Sequence, residues 1–416
     1  MSSSKTQPMV LAGSAAETNV LHSIGIVGAG IGGLTLALAC RDNGFKEITV
    51  YEQADDVGAF GAGIQLSPNA TRVLRALKLR EALQEHVFYP LAVHFRTAKT
   101  GFIVAQRPLG KFSEDRYGAP YYHIHRADLH QVLFDAAIDA EIDIQVAKSC
   151  TDVDPKDGTI AFNDGTSARH DVVVGCDGIH SAVRAAIIGP DAPRFTGHVA
   201  WRGMVPVERL PDRLITPTAT VWMGPRKHFV HYYVRGGTLV NFVGIVENSS
   251  WQEESWRILG DKRELAAEFA DWHPSLATLI DNAGDCFKWA LYDRDPMSMW
   301  SLGRATLLGD ACHPMLPYMA QGAAMAIEDA WVLSRMLEHY EEDVGDAFTE
   351  YERYRKPRTT RIQIGSRAQG RDFHLVDGWS IIKRNLRLGF GTLFLPEIAM
   401  QQLDWVHAYD CIRGFD

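Results

Sequence analysis

The chain has 416 residues, of which 46% are hydrophobic and 22% are charged, and its formal net charge is −9 at pH 7. This length suits two interlocked domains, and the ordinary composition excludes disorder as the main state. The negative net charge, without any block of Lys or Arg, argues against a nucleic-acid partner. Six cysteines without a C-x-x-C pair are typical of a reduced, cytoplasmic protein.

The N-terminal segment carries no targeting pattern. Residues 1–20 are small and polar and lack the apolar core of a secretory signal, so they are predicted to be a flexible tail. No apolar run reaches the ~18 residues that a membrane span needs. We therefore expect a cytoplasmic location and no membrane partner.

The first motif, at 23–52, has the order strand, G-x-G-x-x-G, helix, strand, acid. Gly28 allows a tight turn, Gly30 lets the backbone approach a pyrophosphate, and Gly33 lets the helix pack closely on the sheet. The N-terminus of the helix attracts phosphates. Glu52 ends the second strand, where a carboxylate can accept hydrogen bonds from ribose hydroxyls. The motif predicts dinucleotide binding without separating FAD from NAD.

The second motif, 171–184, reads DVVVGCDGIHSAVR, a buried strand followed by a turn at Asp177 and a helix. The third, 305–317, reads ATLLGDACHPMLP and puts Asp310 at the C-terminal end of another buried strand. Ligands of such sheets bind at that end, so Asp310 is suited to the ribityl hydroxyls of a flavin.

A long helix is predicted after the third motif. Its first residues are small enough to let a flat ring lie against backbone N–H groups: Gly322, Ala323 and Ala324. The positive end of this helix dipole favours negative charge on a reduced flavin.

Together the three motifs resemble those of the flavoprotein aromatic hydroxylases, the single-component FAD monooxygenases. The resemblance covers nearly all of the chain from Ser23 to about Arg358. It is nearest to salicylate hydroxylase, 3-hydroxybenzoate 6-hydroxylase and 6-hydroxynicotinate 3-monooxygenase. The segments that carry it are GAGIQLSPNA at 61–70, HIHRADLH at 123–130 and LLGDACHPMLPYMAQGAAMAIEDA at 307–330.

The resemblance implies that FAD is bound by Glu52, Arg126, Asp177 and Asp310. It also implies a transient NADH or NADPH, since no second dinucleotide fingerprint is present. For Arg126 the alternative is a salt bridge to Asp128 or another acid.

The fold class that follows is α/β (α+β). We expect a Rossmann-like FAD-binding domain with a mainly parallel sheet, interleaved with a substrate domain with an antiparallel sheet, and a helical C-terminus. The short aromatic strands of 199–246 and a hairpin at 91–104 indicate the antiparallel sheet. The predicted boundaries are 21–90, 118–196 and 288–395 for the FAD-binding domain, 91–117 and 197–287 for the substrate domain, and 396–416 for a C-terminal tail segment.

His228 and Tyr232 are four residues apart in a predicted strand, so both face one side of the sheet. The resemblance to 3-hydroxybenzoate 6-hydroxylase puts a catalytic histidine and tyrosine at these positions. They would bind or deprotonate a substrate hydroxyl, because a phenolate is richer in electrons than a phenol. The alternative is simple packing, which is our interpretation of His231 on the opposite face.

The substrate-contacting residues are predicted to be Gln65, Pro317 and Tyr318, where the chain departs from its relatives. No subfamily pattern matches all three. Arg202 and Arg235 are alternative partners for a substrate carboxylate, with exposure to solvent as the favoured interpretation. His313 has no second ligand at metal spacing, so no metal is predicted.

The predicted function is hydroxylation of a small phenolic acid by FAD, NAD(P)H and O2 through a flavin C4a-hydroperoxide, in a monomer or homodimer. The first candidate is conversion of salicylate to catechol. The hydroxylases of 3-hydroxybenzoate or 6-hydroxynicotinate are alternatives, as are an epoxidase or tailoring oxygenase on a larger substrate and a flavin redox sensor without turnover.

Overall fold

The structure is a computed structural model that describes residues 21–55, 61–253, 255, 258–394 and 396–415. The predicted tail, 1–20, lies outside the described residues.

The strands, in chain order, are β1 (Ser23–Val27), β2 (Glu47–Tyr51), β3 (Gly63–Leu66), β4 (Ala92–Thr97), β5 (Ile103–Pro108), β6 (Tyr122–His125), β7 (Asp143–Gln145), β8 (Cys150–Asp154), β9 (Thr159–Phe162), β10 (Ser167–Arg169), β11 (Val172–Gly175), β12 (Arg194–Pro206), β13 (Ala219–Gly224), β14 (Lys227–Val234), β15 (Leu239–Glu247), β16 (Cys286–Asp293) and β17 (Ala305–Leu307).

The α-helices are α1 (Ile31–Asp42), α2 (Pro68–Ala76), α3 (Arg80–Gln84), α4 (Lys111–Tyr117), α5 (Arg126–Asp139), α6 (Ala182–Ile188), α7 (Lys262–Glu268), α8 (Pro274–Asn282), α9 (Gly322–His339), α10 (Val344–Phe373), α11 (Gly378–Phe394) and α12 (Pro396–His407). Short 3₁₀ turns lie at Val207–Arg209, Arg235–Gly237, Gly309–Ala311, Pro317–Met319 and Arg413–Phe415.

The FAD-binding domain is built on a five-stranded sheet in the order β17-β11-β1-β2-β7. Every strand pair in this sheet is parallel. Its central strands are continuous apolar runs, with Ile24, Ile26 and the valines of β11 fully buried, because helices cover both faces. The mainly parallel, Rossmann-like sheet predicted from the motifs is confirmed.

The substrate domain is built on a seven-stranded sheet in the order β16-β12-β15-β14-β13-β4-β5. The predicted antiparallel pattern is right for all its pairs except β13 with β4, which run parallel. The hairpin of β4 and β5 therefore joins the edge of the sheet formed by the strands from 194–247 through a parallel pair. It does not continue their antiparallel meander. β16 also belongs to this sheet, so the sheet extends past residue 287, where the substrate domain was predicted to end.

The strand register defines which side chains share a face of this sheet. His228 lies opposite Met223 and Ile245, and Val230 lies opposite Val221 and Val243. We call this side, which packs against Leu316 and Phe373 of the FAD-binding domain, the inner face. The outer face carries Phe229, Trp201 and Trp222 and packs against α7 and α8.

A small antiparallel pair, β3 with β6, lies between the two domains and was not predicted. The backbone N–H of Gly63 on β3 donates to Asn241 Oδ1 on β15 at 2.8 Å. This pair therefore fixes β3, which carries Gln65, against the inner face.

A buried ion network joins α9 to α10. Arg355 contacts Glu328 and Asp329, each at 2.6 Å, and all three side chains are fully buried. Arg358 adds a contact to Glu328 at 2.7 Å. Removing one member would leave an uncompensated buried charge, at a cost of about 3–5 kcal/mol. The network therefore holds α9 in one position against α10.

The C-terminal segment packs on the FAD-binding domain. Arg358 donates to the carbonyl oxygens of Trp405 and Val406 at 2.7 and 2.9 Å, and Val406 and Cys411 are part of the core. Within the described part of the chain, no helix combines the length and apolar character needed to cross a bilayer.

Candidate active site

The glycine turn after β1 has the geometry of a phosphate cradle. Gly28 has φ +107°, and a Cβ there would lie 2.5 Å from the Cys176 carbonyl oxygen. A Cβ on Gly33 would lie 2.0 Å from the Gly28 carbonyl oxygen, so Gly33 is required for helix packing. A Cβ on Gly30 would meet nothing within 4 Å. The open space beside Gly30 leaves room for a pyrophosphate at the start of α1.

Glu52 lies beside this cradle. Its Oε2 accepts from the Ala29 backbone N–H and its Oε1 from that of Ala54, both at 3.0 Å. Each carboxylate oxygen can accept more than one hydrogen bond, so the two contacts orient the group without exhausting it. Its role toward ribose stays a prediction.

Asp310 and Arg126 face one cleft between the domains. The Asp310 side chain is exposed, yet desolvation by the surrounding protein raises its pKa, and the charges of His313 and Arg126 oppose that shift. Burial lowers the pKa of Arg126, and Asp310 opposes that shift in turn. The alternative partner of Arg126, Asp128, is hydrogen-bonded to Arg235 at 2.9 Å. A carboxylate that is open to solvent inside a crowded cleft fits the ribityl and pyrophosphate groups of FAD.

The start of α9 borders the same cleft. A Cβ on Gly322 would come no closer than 3.9 Å to another atom, Cγ of Met315. Gly322 and Ala323 are partly accessible, whereas Ala324 is buried. The first turn can therefore lie against a flat ring, with its unpaired N–H groups directed toward that ring.

Asp177 caps a helix. Its Oδ2 accepts from the backbone N–H groups of Ala182 and Val183, at 2.8 and 3.3 Å. Burial raises its pKa, and Oδ1 has no hydrogen-bond partner among the described residues. One oxygen thus has a structural task, and the other is a buried acceptor without a partner among the described residues. Taken together, the residues of the cleft fit FAD.

At one end of the inner face, which we call the histidine end, His228 is 2% exposed. Its Nδ1 lies 2.7 Å from His374 Nε2, and its ring centroid lies 5.3 Å from that of Tyr318. The Tyr318 hydroxyl is buried and has no hydrogen-bond partner among the described residues. Pro317 and Tyr318 belong to the loop that leads into α9, so this end lies near the expected flavin ring.

At the other end, the tyrosine end, Tyr232 is 4% exposed and its ring centroid lies 4.6 Å from that of His123. Its hydroxyl lies beside Gln65, and burial raises its pKa. Gln65 Oε1 in turn accepts from the Tyr121 hydroxyl at 2.9 Å. His228 and Tyr232 do share a face, as their spacing predicts, but they contact different groups.

Arg107 is a residue at the tyrosine end that the sequence analysis missed. It pairs with Val93, and Val93 packs with Ala219 and Tyr232, so the four side chains form one row across neighbouring strands. Its guanidinium stacks 4.8 Å from the Phe95 ring centroid and has no acidic partner among the described residues. Burial lowers its pKa to about 10, with Tyr117 and Tyr121 opposing. Arg107 is two residues from Ala105 in β5, so strand alternation places both on one face of the sheet. That spacing was the sequence signal that could have identified Arg107.

Two other arginines were expected to be solvent-exposed. Arg235 is half-exposed and bonded to Asp128. For Arg202 the expectation is wrong: it is 4% exposed and stacks between Phe287 and Trp289, at 5.3 and 5.2 Å from their ring centroids. Because it lies on the inner face opposite Val243, packing desolvates it.

His313 is held by Asp329, at 2.5 Å between Nε2 and Oδ2, and Asp329 also binds Arg355. The Arg355 guanidinium thus supplies the positive charge beside Asp329 that a metal cation would otherwise supply. His198, Glu247 and His374 also come together on the edge of the inner face, where His374 Nδ1 is hydrogen-bonded to Glu247 and His198 Nδ1 to Thr196. The predicted absence of a metal stays a prediction.

Comparison with known proteins identifies the family. The model of the FAD binding domain matches residues 20–364. The chain is 43% identical to 3-amino-4-hydroxybenzoate 2-monooxygenase PtnB3 of Streptomyces platensis, covering 85% of this chain and 89% of the relative. It is 36% identical to 3-hydroxybenzoate 6-hydroxylase of Polaromonas naphthalenivorans (92% and 95% covered) and 37% identical to 6-hydroxynicotinate 3-monooxygenase of Pseudomonas fluorescens (82% and 89%).

Solved structures with a similar fold are also found. The crystal structure of Klebsiella pneumoniae HpxO complexed with FAD and uric acid has a TM-score of 0.81 at 26% identity, covering 92% of this chain and 97% of the other. A salicylate hydroxylase substrate complex has a TM-score of 0.79 at 24% identity (95% and 97% covered) and bears on the fold.

The chain therefore belongs to the FAD binding domain family. It is an FAD-dependent monooxygenase of the aromatic hydroxylase class, as its motifs predict. Salicylate as its substrate is not confirmed.

Proposed function

We propose that the protein hydroxylates a small aromatic acid whose ring hydroxyl is meta or para to its carboxylate. The overall reaction consumes the acid, O2, NAD(P)H and a proton, and yields the hydroxylated acid, NAD(P)+ and water. The observation that carries the proposal is the separation of a candidate base, His228, from a candidate carboxylate partner, Arg107, on one sheet face.

The length of the inner face supports a meta or para arrangement. His228 and Tyr232 are four residues apart on one strand, which spans ~13 Å between their backbones. Arg107 lies in the row of Tyr232, three strands from it across the sheet, so Arg107 and His228 occupy diagonally opposite corners of the inner face. An acid with its hydroxyl and carboxylate on opposite sides of the ring can contact both.

The wall between the two ends is apolar. Val93, Val230 and Val243 remain partly accessible, although they lie in the middle of a sheet. Residues with unfilled space before them at such a position are typical of a pocket wall, and an apolar wall suits an aromatic ring. The relatives support the same substrate pattern, since 3-amino-4-hydroxybenzoate, 3-hydroxybenzoate and 6-hydroxynicotinate each have a hydroxyl meta or para to the carboxylate.

The residues of the two ends have different roles in the proposed reaction. Arg107 binds the carboxylate by charge-assisted hydrogen bonds, and the Tyr232 hydroxyl, which burial keeps protonated, donates to the same group. His228 accepts the proton of the ring hydroxyl at Nε2, because its Nδ1 is used by His374. Bound FAD supplies the chemistry of reduction by NAD(P)H and activation of O2. Closure of the apolar pocket around the ring excludes water from the oxygen transfer.

Salicylate is the second candidate, because the Pro317-Tyr318 pair resembles that of salicylate hydroxylases. Its hydroxyl and carboxylate are adjacent, so one molecule cannot contact both Arg107 and His228 in the arrangement above. The product would be catechol with loss of CO2.

The test is NADH and NADPH oxidation by the purified FAD-loaded protein, with oxygen uptake and product analysis. The panel is 3-amino-4-hydroxybenzoate, 4-hydroxybenzoate, 3-hydroxybenzoate, 6-hydroxynicotinate and salicylate. We expect a meta or para acid to stimulate oxidation and to give a stoichiometric product. Stoichiometric catechol from salicylate, with no product from the other acids, would contradict the proposal. No product from any acid would favour a larger substrate.

A further inference from the structure

The histidine end contains a chain of hydrogen-bonding groups that runs from the pocket to the surface. His228 Nδ1 lies 2.7 Å from His374 Nε2, and His374 Nδ1 lies 3.3 Å from Glu247 Oε1. The His228 residue is 2% exposed and the His374 residue 4%, whereas the Glu247 side chain is 40% exposed. The three residues come from β14, the end of α10 and the end of β15, so the fold brings them together.

The chemistry of Glu247 determines the direction of every hydrogen bond in this chain. An ionised carboxylate only accepts, so His374 Nδ1 carries the proton and its Nε2 has the lone pair. His228 Nδ1 must then donate to His374, and its Nε2 has the lone pair. The tautomer of His228 that can accept a proton from the pocket is therefore specified by a surface carboxylate through a second imidazole.

We propose that His374 and Glu247 are positioning and proton-transfer residues, which hold His228 in its proton-accepting tautomer and carry the proton of the substrate hydroxyl to solvent. This inference rests on the proposed function in that His228 is taken as the base. The inference goes beyond the proposed function because it gives the proton a defined exit route through two residues that do not contact the substrate.

A route out is needed because His228 is a poor final acceptor. Burial and the neighbouring imidazoles of His374 and His198 hold its pKa well below the usual range. Burial, with His198, also lowers the pKa of His374 to about 3. At neutral pH both rings are neutral, each with one N–H and one lone pair, as a relay requires. A proton taken from a phenol would not remain on either ring, but it can pass along them to Glu247 and water.

Other groups packed against the relay do not interrupt it. His198 on β12 contacts His374 at a ring-centroid distance of 5.3 Å, and its own Nδ1 lies 3.3 Å from Thr196. Burial lowers the pKa of His198, and Asp293 opposes that shift. Tyr318 has a raised pKa and is a neutral phenol, so neither His198 nor Tyr318 is charged at neutral pH.

Two arginines contact the backbone around His374. Arg384 on α11 donates to the carbonyl oxygens of Asp372 and Phe373. The backbone N–H of Arg226 donates to the carbonyl oxygen of His374 at 3.0 Å. Both contacts hold the backbone around His374 and leave its ring nitrogens to His228 and Glu247.

Each transfer conserves atoms and charge. The O–H bond of the substrate breaks as an N–H bond forms at His228 Nε2. The Nδ1 proton of His228 moves to His374 Nε2, and the Nδ1 proton of His374 moves to Glu247, which releases it to water. The substrate is left as a phenolate, and both imidazoles are neutral with their tautomers exchanged. The reverse transfers restore the starting tautomers: a proton enters from water through Glu247 and His374 as His228 Nε2 gives its proton back to the phenolate oxygen in the pocket.

The first test measures proton release when 3-hydroxybenzoate or another stimulating acid of the panel binds the oxidised FAD-loaded protein. It uses a pH indicator and stopped-flow mixing without NADH. In Glu247→Gln and His374→Gln we expect the rate constant of proton release to fall at least tenfold, with less than threefold change in the ligand Kd. Glu208→Gln is the matched control, since Glu208 is an exposed carboxylate of the same domain. Wild-type rates in both variants would overturn the proposal.

The second test needs no substrate and so separates this inference from the proposed function. Nitrogen-15 NMR of histidine-labelled protein, assigned with His228→Gln, reports which ring nitrogen of His228 carries the proton. We expect a protonated Nδ1 in the wild type and a mixture of tautomers in Glu247→Gln, because an amide can either donate or accept. A protonated Nε2 in the wild type, or an unchanged tautomer in Glu247→Gln, would overturn the assignment. Because Glu247 is a surface residue, its variant tests the relay without disturbing the core.

Discussion

The histidine end and the tyrosine end of the inner face lie on one strand, yet their surroundings differ. His228 is linked through His374 to the exposed Glu247. Tyr232 is enclosed by neutral groups, and Arg107 lies in the same row of the sheet, three strands away. One end has a hydrogen-bonded chain that reaches an exposed carboxylate, and the other has no such chain among the described residues. In the proposed function, this difference separates deprotonation from substrate binding along a single strand.

The physical cause is what packs against each end. The end of α10 brings an imidazole and the end of β15 a carboxylate to His228, whereas β3 and β6 bring an amide and an imidazole, Gln65 and His123, to Tyr232. A strand exposes side chains to one face with a period of two, but it does not determine the neighbours that those side chains meet.

The largest expected effect comes from removing the base at the histidine end. His228→Gln should lower kcat by about 10²–10⁴, the usual contribution of a general base, with a small change in KM. The matched control is His231→Gln, since His231 is buried on the outer face of the same strand. Steady-state kinetics with a confirmed substrate measure both. Equal losses in the two variants would mean that packing, not proton transfer, explains the effect.

The next effect is on binding at the tyrosine end. Arg107→Met should raise KM for the acid by between about tenfold and a hundredfold, since hydrogen bonds to charged groups contribute ~1.5–3 kcal/mol. Its kcat should change little. The corresponding amide, which lacks the carboxylate charge, should bind wild type and variant almost equally. If the variant weakens acid and amide alike, the carboxylate is not bound by Arg107.

A smaller effect is expected from the neutral donor beside it. Tyr232→Phe removes one hydroxyl and keeps the ring that packs on His123, so KM should rise by about fivefold, as for a neutral hydrogen bond of ~1 kcal/mol. The rate of proton release on ligand binding should stay within twofold of wild type. A loss of proton release as large as that in His374→Gln would mean that the two ends share one task.

The smallest effect concerns stability rather than turnover. Burial lowers the pKa of His123 to about 3, so between pH 6.5 and 3 the unfolded chain binds a proton that the folded chain does not. The free energy of unfolding should therefore fall as pH decreases through this window, by about 1.4 kcal/mol per pH unit for each such group. His123→Asn should reduce that slope, as measured by denaturant unfolding at several pH values. An unchanged slope would contradict the neutral state assigned to His123.

Much of the fold follows from local patterns in the chain. The turn at Gly28, the close approach at Gly33 and the buried strands are short-range features, so their geometry could be predicted. The common face of His228 and Tyr232 follows from strand periodicity alone. The parallel pairing of β13 with β4 could not be predicted, because it joins strands from distant parts of the chain.

The site residues that the sequence did not predict also depend on contacts between distant parts of the chain. His374 is 146 positions from its partner His228, and Glu247 is 127 positions from His374. Arg107 lies in an edge strand with no motif around it, and its enclosure depends on Tyr121 and Phe95 from other segments. Contacts of this kind depend on tertiary packing, which neither spacing nor composition encodes.

The most direct measurement is a crystal structure of the FAD-loaded protein with 3-hydroxybenzoate or the acid that the panel selects. We expect the carboxylate at Arg107 and Tyr232, the ring against Val230, and the hydroxyl within hydrogen-bond distance of His228 Nε2. A ligand bound in the reverse orientation, with its carboxylate at the histidine end, would contradict the division of tasks between the two ends.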